Sequence, residues 1–236
     1  MTASLQTSQT PAHDVSAHAV IIGVIQNHDG PRPAPGAEDV DAAFGGSLAQ
    51  TLTALGATGK PEELTRIATG GQLQAPLIVA VGLGPDAGRQ EVDGEVLRRA
   101  AGAAVRSLSS GQQRQIALSL PARNAAEIEA VALGALLGGY AFGKYRNGAR
   151  LESPQLTLLA KVDLAAGAAS RSQVIADAMA LVRDMVNTSP SQLYPESFAA
   201  QAASVAEASG LSVEVLDENQ LAAGGYGGLI GVGQGS

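Results

Sequence analysis

The chain has no cysteine and no tryptophan, and its three histidines, His13, His18 and His28, all lie near the start. Without thiols there are no disulfides, no thiolate metal sites and no cysteine nucleophile, which suits a reducing, cytoplasmic setting. The C-terminal two thirds hold no histidine to act as a base, and no serine sits in a G-x-S-x-G elbow, so a serine hydrolase is disfavoured. Aromatic residues make up 3% of the chain, leaving little on which to stack bases. Positive charge is also scarce: 15 Lys and Arg stand against 22 Asp and Glu, for a net charge of −7, which repels phosphate backbones. Nucleic acid is therefore not an expected partner. The opening "MTASLQTSQTPAHDVSAH" has neither a basic start nor an apolar core and does not read as a signal peptide. The longest apolar runs, such as "LIVAVGLG", fall far short of the roughly 18–20 residues that cross a bilayer, so no membrane partner is expected either.

What the chain does have is length and aliphatic content. Its 236 residues, 45% of them hydrophobic, suffice for one large domain or one and a half ordinary ones. Residues 1–17 are polar and read as a loose tail. "AVIIGVI" (19–25) is a β-branched run that predicts a buried strand, followed by a Pro/Gly-rich loop. "GSLAQTLTALG" (46–56) predicts a helix ended by Gly56, "ELTRIAT" (63–69) a modest strand, and "APLIVAVGLG" (75–84) the clearest buried strand. A helix over 93–108, a strand over 115–120, a helix from Asn124 to about Phe142 and a strand over 155–160 follow. Asn124 stands as N-cap with Glu127 in the capping-box position. The alternation predicts an α/β fold, a mixed sheet flanked by helices.

"SQVIADAMALVRDMV" (172–186) predicts a long helix, and the breaker-rich "NTSPSQLYP" after it marks a connector between domains. The organisation read from this is an N-terminal α/β domain over 18–170, a linker helix over 171–188 and the start of a second domain over 189–236. There the pattern restarts. Pro195 opens a helix ended by Gly210, "LSVEVL" (211–216) alternates like a strand, and Asp217 with Gln220 caps "ENQLAA".

Several residues carry possible chemistry. The three histidines and Asp14 can be drawn as metal ligands, but no helical register pairs His13 with His18, and solvent exposure is the simpler expectation. "VGLGPDAG" (81–88) holds Gly82, Gly84 and Gly88 without the G-x-G-x-x-G spacing, and reads as a turn at a strand end. The late carboxylates Glu196, Glu207, Glu214, Asp217 and Glu218 do not assemble into a two-metal site, and three of them stand at helix starts. The closing "GGYGGLIGVGQGS" (224–236) has Gly228 and Gly233 at phosphate-loop spacing, but Gln234 occupies the place of the lysine. It reads as a close-packed turn region.

"VRDMVNTSPSQLYPESFA" (182–199) and "GLSVEVLDENQLAAGGYGGLIGVGQGS" (210–236), with the helix between them, resemble the leucyl aminopeptidase (cytosol aminopeptidase) family. The resemblance rests on Arg183, Asp184, Val186, Asn187, Thr188, Pro190 and Pro195, and then on Gly225, Gly227, Gly228, Gly231, Gly233, Gln234, Gly235 and Ser236. Ser189 replaces a frequent family proline, and Ser191-Gln192 an Asn-bearing turn. Over residues 1–172 the likeness extends only to length and element order.

The resemblance implies a macro-like N-terminal domain joined by a long helix to a catalytic domain, usually in a homohexamer. It implies a cytoplasmic enzyme whose two divalent ions, manganese or zinc, activate a water that releases N-terminal residues from peptides. The family's ligands and its catalytic Lys and Arg lie in motifs resembling "GKGxTFDSGG" and "NTDAEGR", which this sequence lacks. No catalytic, cofactor-binding or metal residue is therefore assigned to the chain. It is expected to be the N-terminal part of such an enzyme, truncated within the catalytic domain, without bound metal and inactive alone. The alternative is a freestanding macro-like module for a small phosphate ligand or a protein partner.

Overall fold

The sheet is organised around Ala19–Asn27, whose side chains alternate between two apolar layers. Ala19 and Ile21 enter one, while Val20, Ile22 and Val24 enter the other. A strand covered on both faces needs apolar residues at every position, which is why this run is continuous rather than alternating. The computed structural model describes residues 3–86, 92–109, 115–145, 153–160 and 162–234. Its strands are β1 (Ser4–Ser8), β2 (Ala19–Asn27), β3 (Gly30–Pro33), β4 (Leu64–Ala68), β5 (Leu77–Pro85), β6 (Gln115–Ser119) and β7 (Gln155–Leu159). The helices are α1 (Glu38–Ala43), α2 (Leu48–Ala54), α3 (Gly94–Ser109), α4 (Ala125–Gly138), α5 (Val162–Asn187), α6 (Pro195–Ala208), α7 (Glu218–Ala223) and α8 (Gly227–Gly233).

The chain divides into two compact units, Met1–Leu181 and Val182–Ser236, with the division falling inside α5. In the first unit one mixed sheet runs in the order β1-β7-β6-β2-β5-β4, with β3 paired to β2. The pairs β1/β7, β7/β6, β6/β2 and β2/β5 are parallel, whereas β4/β5 and β2/β3 are antiparallel. This is the α/β architecture expected of the sequence, a mixed sheet flanked by helices.

On one face Val40, Leu48 and Leu52 from α1 and α2 pack over Val20, Ile22 and Ile78. On the other, Leu97, Val105, Ile128 and Leu136 from α3 and α4 pack over Ile21, Val79 and Leu118. Each such buried side chain contributes about 1.5–3 kcal/mol relative to exposure. Small residues bring α3 and α4 together. A Cβ at Gly134 would land on the carbonyl oxygen of Arg98, and one at Gly138 on that of Gly102.

Five expectations need correction. Residues 1–17 are not a loose tail throughout: Ser4–Ser8 pairs with all of β7, and Ala3, Ala12 and Val15 are buried. An edge strand needs only one partner and tolerates polar residues on its exposed side, so "SLQTS" has no apolar signature. The Pro/Gly-rich stretch after β2 contains β3 and α1. Helix α4 stops at Gly138, with Gly139 as its C-cap, short of Phe142. Two successive glycines are poor helix formers.

The last two corrections lie in the second unit. "LSVEVL" is not a strand, and residues 211–216 are exposed and irregular. A strand needs a ladder partner, and the described residues of this unit contain no strand. Nor is the glycine-rich end a close-packed turn. Gly227–Gly233 forms α8, where a Cβ on Gly227, Gly228, Gly231 or Gly233 would meet nothing within 4 Å. Asp217 does cap α7, its Oδ1 accepting from Gln220 N–H at 2.8 Å while Gln220 Oε1 accepts from Asp217 N–H at 2.9 Å. Glu196 and Glu218 occupy first turns.

Candidate functional site

The parallel strands β2 and β5 end at the mouth of a cleft of about 530 Å³. Strands β5 and β6 flank β2 on opposite sides, so the chain order reverses there, and carboxyl-end crevices at such points hold ligands in open α/β sheets. The cleft has the size of a small-molecule site.

Local backbone chemistry shapes it. β2 pairs Val24 with Gly82 but Ile25 with Gly84, so Leu83 bulges and lines the cleft. Gly82 lies against the 59–63 segment so closely that a Cβ would land on the carbonyl oxygen of Lys60. Glu62 N–H donates to Gly82 O at 2.9 Å, and Gly82 N–H donates to Glu63 O at 2.8 Å. Gly84, at φ +84°, donates to Gly59 O at 2.9 Å. The expected turn at the end of "VGLGPDAG" is thus a bulged strand clamped by a neighbouring loop, and Gly88 lies outside the described residues. On the opposite wall Ala34 N–H donates to Gly23 O at 2.9 Å, and Ser119 Oγ donates to Gly36 O at 2.6 Å. These bonds tie residues 34–36 to β2 and β6.

The charged lining is uneven. Arg32 Nη2 reaches Asp86 Oδ2 at 2.6 Å, an exposed pair. Arg123 bonds Glu127, whose residue is 3% exposed, and Glu127 Oε1 also accepts from Val92 N–H at 3.3 Å. Burial pushes the Glu127 carboxyl up, but the hydrogen bonds and charge of Arg123 outweigh it, and the net shift is downward. Glu38 Oε2 accepts from Gly36 N–H at 2.8 Å, Asp41 Oδ1 from Leu48 N–H at 3.0 Å, and Asp93 Oδ1 from Glu95 N–H at 2.8 Å. Ile25, Leu83, Val92 and Val96 supply an apolar floor. Among the described residues that line it there is no Ser, Thr, Cys, His or Lys.

Sequence reasoning missed this cleft. Its glycines were legible, but its carboxylates and arginines come from five segments that only folding brings together. The histidines singled out in the sequence lie elsewhere. His13 Nε2 sits 3.4 Å from Asp14 Oδ2, His18 Nδ1 accepts from Gln115 N–H at 3.1 Å, and His28 sits beside Asp29 on the surface. Among the described residues no three or more His, Cys, Asp or Glu side chains come together in a way able to hold a metal ion. No helix among them is long and apolar enough to cross a membrane.

Comparison with known proteins gives the context. Residues 21–148 match the cytosol aminopeptidase family, N-terminal domain, and residues 180–236 match the same family's catalytic domain. A probable cytosol aminopeptidase of Streptomyces griseus is 43% identical over 252 residues, which cover 99% of this chain and 48% of that protein. One of Nocardia farcinica is 43% identical over 233 residues, covering 92% of this chain and 44% of the relative. Among solved structures, the bottromycin maturation enzyme BotP superposes with a TM-score of 0.68 at 27% identity, covering 93% of this chain and 44% of BotP. A tomato leucine aminopeptidase mutant superposes with a TM-score of 0.73 at 19% identity, over 92% of this chain and 45% of its own, a likeness of fold. The chain thus spans about half the length of the relatives it matches. With both domains matched in order along one chain, this protein belongs to the cytosol aminopeptidase family.

Proposed function

We propose that the chain is the N-terminal part of a longer, metal-dependent aminopeptidase that releases N-terminal residues, leucine among them, from peptides. The observation that carries this reading is the match of residues 180–236 to the family's catalytic domain, following in the chain the match of residues 21–148 to its N-terminal domain. Its solved relative BotP has also been obtained in complex with Mn. In this reading two divalent ions, manganese or zinc, belong to the longer protein. The described residues do not fit such a centre, since they offer no cluster of three donors. Cytoplasmic location and a homohexameric assembly complete the proposal.

The 236-residue chain alone is then inactive. Incubation of the purified chain with leucine p-nitroanilide and Mn²⁺ tests this, and turnover above the protein-free blank overturns it. Turnover by the protein extended to the length of its relatives supports the peptidase reading, and failure of that longer protein refutes it.

A further inference from the structure

We propose that Asp29–Gly30, at the tip of the β2–β3 hairpin, is a modification site at which aspartate converts spontaneously to isoaspartate. This goes beyond the peptidase reading and does not depend on it.

The sequence contains two Asp-Gly dipeptides, Asp29–Gly30 and Asp93–Gly94. In each, the glycine carries no Cβ to keep its backbone nitrogen away from the preceding carboxyl. The fold treats the two differently. Asn27 pairs with Gly30, so His28 and Asp29 form a two-residue hairpin loop, and Gly30 holds φ +116°. The side chains of His28 and Asp29 are 99% and 92% exposed. Among the described residues the one hydrogen-bond contact of the Asp29 carboxylate is His28 Nδ1, at 3.3 Å. Asp93 instead stands at the start of α3. Its Oδ1 accepts from Glu95 N–H at 2.8 Å, and its backbone carbonyl accepts from Leu97 N–H at 3.1 Å. Turning the Gly94 nitrogen toward the Asp93 carboxyl would break this cap. At the hairpin tip only the last rung of the ladder has to open, and exposed loop tips open at little cost.

The chemistry needs no reactant but water. The Asp29 carboxyl takes up a proton from solvent, and Gly30 N attacks its Cγ. The N–Cγ bond forms, a Cγ–O bond breaks, and the hydroxyl leaves with the amide proton as water. The product is a cyclic imide. Water then adds its hydroxyl to one imide carbon and returns its proton to the nitrogen. Breaking the N–Cγ bond restores aspartate. Breaking the bond from nitrogen to the Asp29 main-chain carbonyl carbon gives isoaspartate, with no net change of mass. The main chain then runs through Cβ and Cγ and is one methylene longer, so the Asn27–Gly30 rung loses its register. β3 pairs with β2 and, among the described residues, with no other strand. It carries Arg32, whose bond to Asp86 at the cleft is loosened with it.

Peptide mapping of the whole 236-residue chain after prolonged incubation at neutral pH tests the proposal. Asp-N protease cuts before aspartate and not before isoaspartate, so isomerisation appears as an uncut peptide of unchanged mass. Cleavage before residue 29 is expected to be lost at least about tenfold faster than cleavage before residue 93. In urea, where hairpin and helix are both gone, the two sites are expected to react at similar rates. Equal loss at the two sites in the folded chain, faster loss at residue 93, or no loss at residue 29 while the unfolded chain isomerises would each overturn the proposal. Asn147–Gly148, which lies outside the described residues, falls in a separate peptide and does not enter the comparison. These outcomes leave the peptidase assay untouched, so the two readings fail separately.

Discussion

Arg123 makes three hydrogen bonds to the carboxylate of Glu127. Its backbone N–H donates to Oε2 at 2.8 Å, its Nε to Oε2 at 3.2 Å and its Nη2 to Oε1 at 2.6 Å. One buried carboxylate thereby fastens the loop after β6 to the start of α4, and through Val92 to the approach to α3.

Replacing Glu127 by Gln keeps an acceptor but sets an amide N–H₂ against the guanidinium. The expected loss of stability is about 1–2 kcal/mol, at the lower end for a buried pair because Arg123 is well exposed. The pH dependence has a definite sign. A carboxyl whose folded value is lowered contributes fully above its ordinary 4.5, and that contribution disappears as the pH falls through the folded value. Urea titrations from neutral pH into acid should show this loss in the parent chain and a flatter profile in Glu127→Gln. Glu63 behaves in the same way. Burial raises its carboxyl, and its hydrogen bonds from Thr58 and Gly59 outweigh that and lower it.

Gly134 on α4 faces the Arg98 carbonyl on α3 with no room for a methyl group. Gly134→Ala must push the helices apart or distort them, and is expected to destabilise by about 1–3 kcal/mol. Gly167 in α5 has nothing within 4 Å of its Cβ position, so Gly167→Ala should instead stabilise by about 0.5–1 kcal/mol. Thermal melts followed by circular dichroism compare the pair, and equal shifts of one sign would refute the assignment of close packing at Gly134.

Gly82 makes the same kind of prediction for the cleft wall. Gly82→Ala cannot be accommodated beside Lys60 without moving residues 59–63. Amide hydrogen exchange should then accelerate at Glu62 and at position 82, whose bonds join the loop to β5, while the amides of β6 stay protected.

In the second unit Val186, Leu211, Val213, Leu229 and Val232 are exposed, and Ala206 is its one buried hydrophobic residue among those described. Exposed apolar side chains bind hydrophobic dyes and promote association. The chain should enhance the fluorescence of anilinonaphthalene sulfonate, and Val213→Lys with Val215→Lys should lower that signal without lowering the melting temperature of the first unit. An unchanged signal would place the dye elsewhere.

The buried strands β2 and β5, the capped starts of α4 and α7 and the 172–186 part of α5 were legible in the sequence, whereas the start of α5 at Val162 was not. Continuous apolar runs and the capping residues Asn124 and Asp217 are local signals that hold wherever the segment ends up. β1 and β3 were not, because a short polar or proline-bearing strand exists only through its neighbour. The alternation in "LSVEVL" misled for the converse reason: a pattern suited to a strand makes none without a second strand beside it.

The sequence by itself determined the α/β class, the acidic, thiol-free character of the chain and, through Arg183 to Ser236, its family resemblance. Each of these resides in composition, periodicity or contiguous motifs. Only the tertiary structure decided that the first residues complete the sheet, that glycines draw α3 against α4, and that three carboxylates from α1 and the start of α3 share one cleft. Those are contacts between segments tens of residues apart, fixed by which surfaces exclude water together, and no local pattern encodes them.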